Sequence, residues 1–119
     1  MTGKRFFLPA DRIRPDLAPN YGGCLATDEI TVRGLPVGYM HREMPADRLD
    51  SGWRFFAGTE SQDYLAEPSH SAVYDVNTIA NYSPDIVDWL MAPPGAAFER
   101  AEDGLLKPTE LSSTRNEGS

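Results

Sequence analysis

Trp53, Phe55 and Phe56 put three large aromatic rings into four consecutive positions, and no other stretch of this 119-residue chain restricts the fold as tightly. Asp50-Ser51-Gly52 precedes them as an acidic turn, and Gly58-Thr59-Glu60 follows. Apolar surface at that density reads as a central, buried strand over 53–57. Successive side chains alternate between its faces, so Trp53, Phe55 and Ala57 share one face and Arg54 and Phe56 the other. Both faces are bulky, and both are expected to be covered, one by helix and one by loop or arm. Each fully buried aromatic stabilises the fold by roughly 1.5–3 kcal/mol. The turn before the strand has its own explanation. Asp50 and Ser51 bond to neighbouring amides, and Gly52 supplies a positive φ.

Before that strand, residues 1–20 carry Pro9, Pro15 and Pro19 among alternating charges, which interrupts helix and ladder alike. They read as an extended arm anchored by Phe6, Phe7 and Leu8, either covering a sheet edge or running free as termini commonly do. The domain proper is expected over 21–100. Residues 24–26 form a short apolar strand and 28–32 continue it by alternation. Gly34 then turns the chain into a strand over 37–42, completing a hairpin with Val37, Tyr39 and His41 on one face. A charged loop over 43–52 follows, long enough to carry a site. Beyond the aromatic strand, 59–65 reads as a helical turn capped by Thr59, with Gln62 completing a capping box. Residues 72–76 read as a strand, and 77–81 as a single turn closed by Asn81 in the left-handed region.

The strongest helix signal lies at 84–91. Ser83 stands at the N-cap, Pro84 at the first helical position and Asp85 in the first turn, and Ile86, Trp89 and Leu90 make one apolar stripe. Pro93-Pro94 ends it. Residues 96–99 return as a last strand, and the polar stretch over 101–119 reads as a disordered tail. The fold class is therefore α+β. We expect a single small domain, a mostly antiparallel sheet of about four to six strands, with one main helix and short helical turns packed on one face.

Charge narrows the function. The formal net charge is -7. Lys4, Arg5, Arg12 and Arg14 against Asp11 and Asp16 give the first twenty residues +2, leaving -9 for the remainder. Such a surface repels phosphate backbones and attracts cationic partners, which argues against nucleic-acid binding. Cys24 is the only cysteine, so there is neither an internal disulfide nor a structural zinc site, and a reducing cytoplasm is the economical setting. The apolar run after Lys4-Arg5 stops at Pro9, short of a signal-peptide core of ~7–15 residues. No segment approaches the ~20 apolar residues of a membrane span.

Chemistry-bearing residues are sparse. His41 and His70 lack metal-ligand spacing, and no cofactor or metal signature is present. Cys24 in an apolar strand behaves as a small hydrophobe, and His41 is the only base that a neighbouring strand could bring to it. Ser71, His70 and Asp75 supply hydrolase residue types without a nucleophile elbow, and read as a turn. Glu43, Asp47, Asp50, Glu60 and Asp63 bracket the aromatic strand. They can serve as paired carboxylates, as a solvated face, or as a negative rim meeting lysines and arginines of a protein partner. Trp53 and Trp89 are core residues, or binding hot spots if exposed.

Four blocks, at 24–28, 37–43, 50–58 and 77–86, resemble a bacterial family catalogued as domain of unknown function two-one-eight-five and grouped as immunity protein group thirty-three of polymorphic toxin systems. The resemblance covers roughly residues 21–100. It implies an α+β module that binds and neutralises a toxin, not an enzyme, and it supplies no catalytic residue. Arg42, Glu43, Asp50, Trp53, Arg54, Glu60, Asn77 and Asn81 are the motif positions. The candidate partner-binding set is Glu43, Asp47, Asp50, Trp53, Arg54, Glu60 and Asp63. Two alternatives stand beside it: a small-molecule-binding or hydrolytic module in which His41, Asp50 and Arg54 converge over the 43–52 loop, and an accessory interaction domain.

Overall fold

The computed structural model describes residues 4–110. Its framework is a six-stranded sheet in the order β4-β1-β3-β2-β5-β6. The strands are β1 (Gly23–Thr27), β2 (Tyr39–Arg42), β3 (Asp50–Phe56), β4 (Ser71–Asp75), β5 (Ala97–Arg100) and β6 (Leu106–Thr109). Three α-helices, α1 (Asp28–Thr31), α2 (Gln62–Ala66) and α3 (Val76–Tyr82), are joined by 3₁₀ turns at Ala10–Arg12, Pro68–His70 and Pro84–Trp89. The β1–β3 pairing is parallel and the other four pairings are antiparallel, so the small α+β domain has the mostly antiparallel sheet expected of it.

The aromatic strand lies in the middle of this sheet, and one of its faces is the core. Trp53 and Phe55 are fully buried, with Met40 from β2, Phe98 from β5, Ile79 from α3, and Ile86 and Leu90 from the Pro84–Trp89 region. Trp53 also satisfies its ring N–H, donating to the Leu90 carbonyl at 3.2 Å. Trp89 is partly buried and stacks on Phe98 at 4.6 Å between centroids. Both tryptophans are thus packing residues of the inner face, as a helix layer on a sheet requires.

Local readings were overturned where a long-range partner outweighed them. Residues 28–31 are helix, not a continued strand, and no hairpin joins 24–32 to 37–42: β1 lies between β3 and β4. The single turn of α1 buries Ile30 and Thr31 and carries the chain out of the sheet, which allows β1 to run parallel to β3. The main α-helix is α3, capped by the Asp75 carboxylate, while Pro84–Trp89 is 3₁₀. Ser83 does not cap it. Its hydroxyl accepts the Val37 N–H and donates to Asp85, tying the turn to the sheet.

Asn81 ends no helix in the left-handed region, since Asn20 is the positive-φ non-glycine residue among those described. With Asn77 it staples the N-terminal arm instead: both side-chain amides donate to the Arg14 carbonyl, while the two side-chain carbonyls accept the N–H groups of Ala18 and Arg14. Phe7 donates its N–H to the Thr31 carbonyl, and Phe6 meets the Tyr74 ring edge-on. Ser61, not Thr59, caps α2. Finally, β6 forms within the stretch expected to be a disordered tail, because Leu106 has a buried place beside β5. Residues 111–119 of that stretch lie outside the described residues.

Candidate functional site

The opposite face of the sheet differs from expectation, for it is only half covered. Register puts Val73 of β4, Leu25 of β1, Arg54 and Phe56 of β3, and Tyr39 and His41 of β2 on this outer face. Here α2 is the nearest helix, and its Leu65 helps line a shallow depression of about 340 Å³ with Leu25, His41, Glu43, Arg54 and Phe56. A second depression of about 300 Å³ is lined by Leu25, Asp47, Leu49, Asp50, Arg54 and Val73. Arg54 lies between the two.

How Arg54 reaches Asp50 follows from a bulge. Along β1, Gly23 to Leu25 is two residues, while their partners on β3, Asp50 and Arg54, are four apart, so two extra residues are accommodated in β3. Gly52 absorbs the distortion at φ +89°, where a side chain is strained, and a Cβ there would lie 2.1 Å from the Glu43 carbonyl oxygen. The shortened span brings the two ends of an i,i+4 pair together on one face. The Arg54 guanidinium then grips Asp50 with two parallel bonds of 3.0 Å, and its Nε donates to Glu43 at 3.1 Å. Glu43 also meets His41 Nε2 at 3.1 Å.

In this knot one guanidinium serves two carboxylates. The Arg54 guanidinium holds the Asp50 carboxyl well below the usual carboxylate range, with help from the Ala46 and Gly52 N–H groups. Glu43 is lowered by its bond to His41 and then by Arg54, and Arg54 is raised chiefly by Asp50. A bidentate, charge-assisted pair of this kind is strong and directional. His41 forms a three-ring cluster with Phe56, stacked at 5.9 Å, and Tyr39, tilted at 5.6 Å, and its Nδ1 is buried with no hydrogen-bond partner.

The predicted residues therefore separate. Glu43, Asp50 and Arg54 come together, and His41 joins them. Asp47 lies at the rim of the second depression, where its carboxylate caps the turn by accepting the Leu49 and Asp50 N–H groups. Trp53 faces the core and is closed to a partner. Glu60 accepts the Ala57 and Gly58 N–H groups and the Thr27 hydroxyl, fastening the end of β3 to the end of β1. Asp63 is exposed in the first turn of α2. Cys24 and His41 are on opposite faces, and burial pushes the thiol up, with Asp75 adding to the effect, so no thiolate–imidazole pair forms. His70 stacks on Tyr64 at 4.1 Å and bonds its carbonyl, apart from any triad.

What charge-based reasoning missed is apolar. Leu25, Leu49, Leu65 and Val73 surround the knot and are exposed, Val73 at 72% and Leu49 at 79%. Alternation carried the signal for two of them: Leu25 is out of phase with the buried Cys24 and Ala26, and Val73 shares its face.

Among the described residues no group of three or more His, Cys, Asp or Glu is placed to hold a metal ion, and no helix is long and apolar enough to cross a membrane. The family model of the immunity protein Imm33 domain matches residues 24–110, which takes in the whole sheet from the second residue of β1 to β6. The chain belongs to that family. No curated protein and no solved structure matches it. The Imm33 match includes every residue of the outer-face knot and all four apolar residues around it, and it extends past Arg100 through β6.

Proposed function

We propose that this Imm33 domain is a non-enzymatic binding module that neutralises a toxin in the cytoplasm by docking the outer face of its sheet on that protein. One observation carries the reading: four exposed aliphatic side chains, Leu25, Leu49, Leu65 and Val73, surround a pre-formed ionic knot on a half-covered sheet face. Clustered apolar exposure with a polar centre is the composition of a recognition surface. The knot is ordered before binding, so less entropy is lost when a partner meets it.

Arg54 offsets only one of the two carboxylate charges beside it, so Glu43 and Asp50 both fix the surface and contribute to its negative character. Asp47 and the exposed Asp75 add to that character next to the apolar patch, which suits a partner bearing lysine or arginine. The test is affinity capture of the partner from the source cells, followed by titration of the purified pair. Leu25→Asp is expected to weaken the complex at least tenfold while thermal unfolding stays within a few degrees. Unchanged affinity rejects the outer face as the binding surface.

A second reading draws on the unpartnered His41 Nδ1. With Glu43, Arg54 and Phe56 the His41 side chain lines the depression near α2, with Nδ1 buried behind it, which makes a small-molecule site the alternative use of the same face. His41→Gln separates the two: it abolishes ligand binding in that reading and leaves partner affinity within about threefold in the first.

A further inference from the structure

The two edges of the sheet are built differently, and the difference identifies how a partner can attach. At one edge, the bond from the Ala101 N–H to the Leu105 carbonyl sets the phase of the β5–β6 ladder. Pro108 pairs with Phe98, so its nitrogen, which carries no proton, faces outward, and Lys107 lies beside it. Proline and lysine are the usual means of preventing an edge from taking another strand. At the other edge, the bond from the Val76 N–H to the Gly22 carbonyl sets the phase of β1–β4. Register is continuous from Gly23↔Asp75 to Thr27↔Ser71, so Tyr74 and Ala72 face β1 while Val73 turns both its N–H and its C=O outward. No proline, lysine or arginine is present in Ser71–Asp75.

We propose that β4 is the site at which an extended, basic segment of the protein partner adds as a seventh strand. This rests on the protein-binding reading above and specifies its mode. Main-chain bonds at Val73 supply affinity, and alternate side chains of the incoming strand supply specificity. On the outer face those side chains meet Val73 and Leu25 at the centre and the exposed Asp75 at one end, with Asp47 across the depression. A second copy of this chain is the competing occupant. Its own charge of -7 opposes it, whereas a strand with lysine flanking an aliphatic residue is attracted to the same edge.

The test uses the intact chain and a capped seven-residue peptide with valine at its centre, lysine on either side of it at alternate positions, and threonine elsewhere. Amide hydrogen exchange is followed residue by residue. Saturating peptide is expected to slow exchange at the Val73 amide at least tenfold, and a peptide N-methylated at the central valine has no effect. Val73→Pro removes an outward N–H without removing a β1–β4 bond, and because proline has no amide to follow, it is read by titration of the lysine peptide, whose affinity falls at least tenfold. No slowing with the lysine peptide overturns strand addition, equal slowing with glutamate in place of lysine overturns the basic partner, and a doubled mass of the chain alone that Val73→Pro returns to monomer overturns it in favour of a second copy. If Val73→Pro keeps full affinity for the captured partner while Leu25→Asp loses it, strand addition fails alone; if neither changes it, the binding reading fails as well.

Discussion

Trp53 and Arg54 are adjacent in sequence and occupy two regions of opposite character. The inner face of the sheet takes Trp53, Phe55 and Met40 completely out of water, and Phe98 nearly so, beneath α3 and the Pro84–Trp89 turn. The outer face, made by the intervening residues of the same strands, has an ion-pair knot at its centre and exposed aliphatic side chains around it. A sheet with one closed face can leave the other available for recognition, because burial on the inner side already stabilises the strands. In β3, Trp53 and Phe55 therefore belong to the scaffold, while Arg54 and Phe56, out of phase with them, belong to the surface.

Substitutions on the two faces should separate stability from binding. The largest effect is expected for Trp53→Ala, which empties the centre of the core and leaves the Leu90 carbonyl without its donor; a loss of about 3–5 kcal/mol should appear in denaturant unfolding. Gly52→Ala comes next. A left-handed φ and the Glu43 carbonyl both oppose a side chain there, so at least about 2 kcal/mol should be lost, with the Arg54 knot disturbed as well.

Asp50→Asn tests the knot itself. Charged hydrogen bonds of this kind contribute roughly 1.5–3 kcal/mol, and the sign of the pH dependence follows from the lowered pKa of Asp50. Its stabilisation is fully present above the unfolded carboxyl pKa of about 3.9 and is lost as pH falls from there toward the lower folded value. The gap between the unfolding midpoints of wild type and Asp50→Asn should therefore stay constant from pH 7 to about pH 5, then narrow as pH falls to 2 without closing. Smallest for stability is Leu25→Asp, about 1 kcal/mol, since aspartate is disfavoured in a strand and Leu25 is 40% exposed. An equal loss of stability on the outer face would remove the distinction between the two regions.

Much of the inner face was legible because period-two alternation states which side chains share a side, and three aromatics leave little freedom. The segment at 28–32 was not, since four or five residues of alternating Asp, Glu, Ile, Thr and Val fit a strand as well as one helical turn. What decided it was the parallel alignment of β1 with β3, a contact between distant segments that no local pattern encodes. Ser83 looked like an N-cap because serine before proline and aspartate has that signature, yet its hydroxyl serves Val37, a residue 46 positions away. In the candidate site, the 43–52 loop and Arg54 were marked by their charges. That Asp50 reaches Arg54 depends on the Gly52 bulge, and the exposure of Leu49 and Leu65 depends on what the fold leaves uncovered. The sequence places Leu49 in a charged loop and Leu65 at the end of a helical turn, and neither position states whether a neighbour covers the side chain.

Recognition by the outer face, as opposed to the acidic groups as a whole, is tested by the dissociation constant of the captured partner for Leu25→Asp beside that for Asp63→Asn, with unfolding free energy measured on both proteins. At least a tenfold weaker complex is expected for Leu25→Asp and less than a twofold change for Asp63→Asn, with both proteins folded. Full affinity in Leu25→Asp with a marked loss in Asp63→Asn would contradict recognition by the outer face.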